Sequence, residues 1–374
     1  MKKLRHIRQN YDYMNFVACG ILFLCLLFVA YGYNRDLFNM LIAIGGMAGG
    51  LFICYEIYQT KQLAQAEFVR DLQTSFTSDE MVMSLWGKLL SGEGIDSKND
   101  RLAISSYLTF FETLYVLHTI GILKISISDD LFRNRFFKAV GNEQLQQATI
   151  ISEPENFSNI HSLVDQWRYF LLRSQKPIHR GYYSYAKAAV SAKANVSIRR
   201  LNLSDLQNLE SLQARVLQDL KHDDWLRKNG TSLLAECLAE EGDSGHATFG
   251  AFEGDVLVAA AILYDGKDSE ESIRGHLLTA SKRASQKGVR QMKESINLKL
   301  VLTDLKTRRT GIGRCLIELC EEEAALRGKH EILCTIHKHN VPSRSLFKIL
   351  GYRKLGSHRT SYGPRLIYGR KIPC

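Results

Sequence analysis

Residues 296–326 place an alternating strand pattern, a glycine-bearing turn and an amphipathic helix pattern in direct succession. Few folds accept that order. The run 296–303 alternates and carries β-branched residues, so it is predicted to be a strand. From 315 to 326, Leu316, Leu319, Cys320 and Ala324 recur on one helical face. Between the two lie Arg308, Arg309, Thr310, Gly311, Ile312, Gly313 and Arg314. Two glycines at a strand-to-helix turn let backbone N–H groups converge, and the helix N-terminus adds partial positive charge. The result is an anion cradle suited to a nucleotide or coenzyme pyrophosphate. Neither G-x-x-x-x-G-K-[ST] nor the three-glycine dinucleotide fingerprint is present.

The pattern R-x-x-G-x-G after an alternating strand resembles the acetyl-CoA motif of the GNAT acyltransferases. The downstream sequence is similar too: a strand at 330–337, Asn340-Val341-Pro342-Ser343 opening a helix with Leu346 and Phe347, then Leu350-Gly351-Tyr352. Tyr362, Gly363 and Arg365 fall in a final hairpin. Upstream, strands are expected at 196–201, 247–253 and 256–264, with helices at 203–220 and 224–240. Residues 266–293 would be a helical insertion. The resemblance covers about residues 195–374 and implies a mixed α/β GNAT domain at 196–374.

The resemblance further implies an N-acetyltransferase whose co-substrate is acetyl-CoA, with no metal, and direct attack of a primary amine on the thioester. Val301, Leu302 and Thr303 would lie along the pantetheine arm. The backbone from Arg309 to Arg314 would bind the pyrophosphate, beside Arg308, and Asn340, Ser343 and Phe347 would complete the coenzyme site. A backbone N–H near Leu302 would meet the oxyanion. Many members carry tyrosine where this chain has Phe347, so the general acid is open. Tyr352, Ser343, Ser345 and Tyr362 are candidates for it, and Asp304 is a candidate base. His337 and His339 flank Lys338 without a nearby carboxylate and are read as surface residues. Cys315, Cys320 and Cys334 are read as core.

Two uncharged runs, 13–34 and 37–55, are separated by Arg35 and Asp36 alone. Each is long enough for a membrane span. The expectation is a transmembrane helical hairpin (about 14–33 and 37–57) within residues 1–60. Glycines 45, 46, 49 and 50 would let its helices approach closely. Lys2, Lys3, Arg5 and Arg8 precede the first run, so the positive-inside rule puts both termini in the cytoplasm. The chain would then sit in the inner (plasma) membrane, with the lipid bilayer as a partner.

Residues 61–176 read as an all-α cytoplasmic domain, with helices at 79–90, 101–123, 131–140 and 157–172. The stretches YEIYQTKQLAQAEF and DLQTSF resemble an uncharacterised bacterial family in which a membrane helix leads into a cytoplasmic helical domain. Glu112 and His118 make 101–123 a buried core helix rather than a span. This region holds no nucleophile–base pair, metal spacing or phosphate loop, so spacing, homo-oligomerisation or partner binding is its expected role.

The net charge is +10, and its distribution matters. Residues 166–204 hold eight Lys/Arg and no acid, and 177–195 is expected to be a basic linker, solvated or attracted to anionic head groups. Aromatic interleaving there is limited to Tyr182, Tyr183 and Tyr185, which disfavours nucleic acid without excluding it. Two rival functions remain: a catalytically weak acetyl-CoA-binding regulatory module, and a tRNA-directed acetyltransferase toxin or defence effector. Eight cysteines without a C-x-x-C pair argue against a disulfide scaffold or a zinc ribbon.

Overall fold

A computed structural model describes residues 35–219, 246–264, 295–360 and 363–372, with isolated helical residues at 25–26, 28–29, 31–32, 234–235 and 237–238. The chain divides into two compact units, Met1–Ser75 and Phe76–Cys374.

In the first unit the second apolar run does not end as a span would. It is part of one 44-residue helix, α1 (Arg35–Ser78). That helix opens on Arg35 and Asp36 and runs on through Glu56, Lys61, Glu67, Arg70 and Asp71. Asn39 and glycines at 45, 46, 49 and 50 dilute its apolar surface. Among the described residues no helix is long and apolar enough to cross a membrane. The expected transmembrane hairpin is therefore overturned, and with it the two-span inner-membrane location. The first run, 13–34, lies largely outside the described residues.

The second unit begins with helices α2 (Glu80–Ser91), α3 (Arg101–Thr119), α4 (Ile125–Val140), α5 (Ser158–Ser174) and α6 (Arg180–Ala194). Asp79 caps α2 by accepting the Met81 and Val82 amides, and Gly92 ends it at φ 74°. The core here is aromatic. Phe76, Tyr107, Phe111, Phe132, Phe136, Phe137 and Trp167 are fully buried, with Phe136 stacked on Trp167 at 5.1 Å. His118 is half-buried, its Nδ1 lying 2.7 Å from the Leu123 carbonyl oxygen.

Where an irregular basic linker was expected, α6 is a helix that buries Tyr182, Tyr183, Tyr185 and Ala186. Its start crosses the end of α4 at backbone contact. A Cβ on Gly181 would stand 1.8 Å from the Phe137 carbonyl oxygen, and one on Gly141 would stand 2.3 Å from the Gly181 Cα. Only glycine fits there.

The sheet comprises β1 (Ser197–Arg200), β2 (Ala247–Glu253), β3 (Val256–Tyr264), β4 (Ser295–Thr303), β5 (Glu331–His337), β6 (Arg353–Thr360) and β7 (Gly363–Lys371). Its order is β1-β2-β3-β4-β5-β7-β6, with β4–β5 the parallel pair. One face is covered by α8 (Ile312–Leu326) and α9 (Val341–Ile349), through Cys315, Leu316, Cys320, Ala324 and Phe347. The opposite face is covered by α7 (Leu206–Asp219), through Leu209, Leu212 and Val216. Cys315, Cys320 and Cys334 are buried, as their spacing suggested. The helix expected at 224–240 and the insertion 266–293 lie wholly or mostly outside the described residues.

Candidate functional site: a splayed strand pair over a helix N-terminus

Strands β4 and β5 start as neighbours and then part. Parallel pairing joins Ser295, Ile296 and Asn297 to Glu331, Ile332 and Leu333, and goes no further. Beyond that point β4 stays paired with β3 out to Thr303, and β5 with β7 out to His337. Past Asn297 and Leu333 no ladder joins the two strands, and a gap opens between them. A bulge helps open the wedge: Ile262 faces Leu300 while Leu263 faces Leu298, leaving Lys299 as the extra residue.

The wedge opens toward the turn that follows β4. Arg308 is extended, Arg309 is left-handed at φ 68°, and Gly311 is left-handed at φ 95°. Alternation of this kind turns successive N–H groups inward. Gly311 is the N-cap of α8 and offers no side-chain cap, so the first amides of the helix are left to a ligand. Crowding also keeps position 313 small, since a Cβ on Gly313 would stand 3.2 Å from Thr303 Oγ1.

The predicted coenzyme residues lie on β4, on the turn after it, on α8 and on α9. Val301, Leu302 and Thr303 line β4 at the wedge, although the Leu302 side chain is buried in the core on the α7 face. Arg308 and Arg309 are exposed and Thr310 is half-buried, its Oγ1 donating to the Thr307 carbonyl at 2.7 Å. The Ile312 side chain is fully buried, so only its backbone faces the cradle. Asn340 caps α9, accepting the Ser343 amide at 3.1 Å. Phe347 points into the core, edge-on to Tyr352 at 4.9 Å.

The catalytic candidates separate. Tyr352 is 3% exposed, far along α8 beside Glu321 and Arg370, and burial pushes its hydroxyl pKa well up. Asp304 is committed elsewhere: Arg215 Nε donates to it at 2.8 Å, and it caps the turn Leu305–Thr307 through the Lys306 amide. Burial alone would raise the Asp304 carboxyl, but those hydrogen bonds bring it below the usual carboxylate value. Ser345 is exposed and Ser343 half-buried on α9. Tyr362 lies outside the described residues.

One constellation escaped the sequence reading. Glu318, on α8 one turn past the cradle, is 2% exposed and ringed by donors. Its Oε1 lies 3.1 Å from Arg314 Nε and 2.6 Å from Arg168 Nη2, and its Oε2 accepts the Tyr182 hydroxyl at 2.9 Å. Arg314 Nη2 in turn reaches the Tyr182 hydroxyl (3.2 Å) and Asp165 (3.4 Å). The available signal was the i,i+4 spacing of Arg314 and Glu318. Nothing in the pattern of α5 or α6 pointed to their contributions.

Residues 206–352 match the family described as Acetyltransferase (GNAT) family. No functionally curated protein matches the chain. Similar solved structures include the ribosomal-protein-S18-alanine N-acetyltransferase from Escherichia coli, at 17% identity and TM-score 0.34, covering 48% of this chain and 95% of that one. A probable acetyltransferase from Staphylococcus epidermidis ATCC 12228 is 18% identical with TM-score 0.36, covering 47% and 98%. The PaiA N-acetyltransferase from Thermoplasma acidophilum, in complex with coenzyme A, is 16% identical with TM-score 0.35, covering 47% and 98%.

Proposed function

We propose that the chain, whose residues 206–352 match the GNAT acetyltransferase family, is an acyltransferase that uses acetyl-CoA and transfers acetyl to a primary amine by direct attack on the thioester. The observation that carries this reading is the wedge between β4 and β5, ending at the uncapped N-terminus of α8. A pantetheine arm carries amides that can complete the broken ladder. A pyrophosphate matches the converging amides of Arg309 to Arg314.

In the reaction the amine nitrogen forms a bond to the thioester carbonyl carbon, the C–S bond breaks, and the thiolate leaves with the electron pair. The β4 backbone near Leu302 supplies an N–H to the oxyanion. The amine gives up a proton and the thiolate gains one. Neither buried Tyr352 nor ion-paired Asp304 suits that exchange, whereas release of the thiolate to solvent needs no side chain at all. Arg168, Lys176 and Arg199 pair with Glu318, Asp129 and Asp205, which takes three of the eight cations of the run 166–204 from a polyanionic acceptor such as tRNA.

The test is thiol release from acetyl-CoA by the full chain over a panel of primary amines, including peptide N-termini. Amine-dependent release supports the reading. Tight coenzyme binding with no release on any amine would favour the regulatory-module alternative.

A further inference from the structure

The proposed coenzyme site is tied to α5 and α6, which lie outside the segment that matches the family. Arg314 is the third residue of α8, next to the amides of the cradle, and its side chain is 35% exposed. It is held by Glu318, Tyr182 and Asp165. A phosphate in the cradle would compete for the same guanidinium. If Arg314 were the sole cation on Glu318, that competition would strand a buried carboxylate, which is strongly unfavourable.

Arg168 removes that obstacle. It is 5% exposed, reaches Glu318 Oε1 from α5, and sits over the Tyr182 ring with its guanidinium carbon 5.6 Å from the centroid. Its alignment is incomplete while Arg314 is in place: among the described residues its Nε and Nη2 make no well-formed hydrogen bond, although Nη2 is only 2.6 Å from Glu318. Two guanidinium groups share one oxygen, and one of them is under-satisfied. Withdrawal of Arg314 toward a phosphate would free Oε1 for Arg168.

We propose that Arg168 is a positioning residue for coenzyme binding: it holds the buried Glu318 carboxylate so that Arg314 can turn from Glu318 to a coenzyme phosphate. This inference rests on the acetyl-CoA reading of the cradle. The region before the transferase domain then sets the affinity of the coenzyme site, acting through one carboxylate.

The test is calorimetric titration of the full chain with coenzyme A at fixed ionic strength. Arg168→Met should weaken binding about tenfold, the scale of one charge-assisted contact. Arg314 is then locked on Glu318. Glu318→Gln should bind at least as tightly as wild type, because Arg314 is no longer held by charge. The Arg168→Met/Glu318→Gln pair should return to within about threefold of wild type, a rescue that mere loss of packing at position 168 would not show. Unchanged binding by Arg168→Met overturns the inference, as does weakening by Glu318→Gln or failure of the rescue. Should Arg168→Met not fold, Glu318→Gln and the double variant decide it. No binding by the wild type at millimolar coenzyme A overturns the acetyl-CoA reading and this inference together, whereas wild-type binding with a flat variant series overturns this inference alone.

Discussion

Asp304 illustrates how a residue beside a site differs from a residue in it. Its position after β4 suits a base, yet its two oxygens serve Arg215 on α7 and the Lys306 amide. Replacing it with asparagine should keep the cap and lose the ion pair. Because Arg215 is about a third exposed, the cost in denaturant unfolding should be only about 1 kcal/mol. Coenzyme affinity should not move, and a large loss of affinity would place Asp304 in the site after all. Gly311 carries the opposite lesson. At φ 95° it sets the conformation of the cradle, and any side chain there is strained, even though its Cβ would meet only Val190 at 3.7 Å.

At the level of elements, α6 depends on a histidine cap. His179 Nδ1 accepts the Gly181 amide at 3.0 Å, and the ring stacks on Phe137. Burial, then the charges of Arg133 and Lys138, lower its pKa to about 4 from an ordinary 6.5. The folded chain therefore holds this histidine neutral where the unfolded chain binds a proton. The stability it contributes is full above pH 6.5 and is lost as pH falls from 6.5 toward 4. A series of denaturant melts across that window should show the decline. His179→Asn, which keeps a capping oxygen, should flatten it, and an unflattened profile would assign the decline to other groups.

The elements of the transferase half were largely legible. Strands 247–253 and 256–264 are found with their predicted limits, and β4, β5 and α8 lie within a few residues of theirs. Their alternation and glycine turns are local signals. What was not legible is tertiary. A run of eight cations looks alike whether solvated or, as with Arg168 and Arg199, spent on buried acids. An apolar run also looks like a span until it continues into a charged helix, as 37–57 does within α1. The wedge itself depends on where β4 and β5 stop pairing, which neither strand encodes alone.

On the scale of the molecule, residues 76–374 form one compact unit, so the transferase domain does not stand apart from the helices before it. Val190 and Ala194 of α6 pack against the core cluster beneath α8, and Arg168, Tyr182 and Asp165 surround the Arg314–Glu318 pair. A chain beginning at residue 196 loses all five contacts. Glu318 keeps Arg314 but loses Arg168, Tyr182 and the packing of α6, so the melting point should fall by several degrees relative to the full chain. Equal melting points would mean the helices are an appendage.

The central claim is that the Gly311 turn and the β4–β5 wedge hold a coenzyme pyrophosphate and pantetheine. Its most direct test is the melting temperature of the full chain with and without acetyl-CoA. At a hundred times the dissociation constant the ligand should add about 2.7 kcal/mol, a rise of several degrees. Gly311→Glu, which strains the left-handed turn and adds a negative charge beside the cradle, should abolish that rise. No rise for the wild type at millimolar acetyl-CoA, or an undiminished rise in Gly311→Glu, would contradict the account.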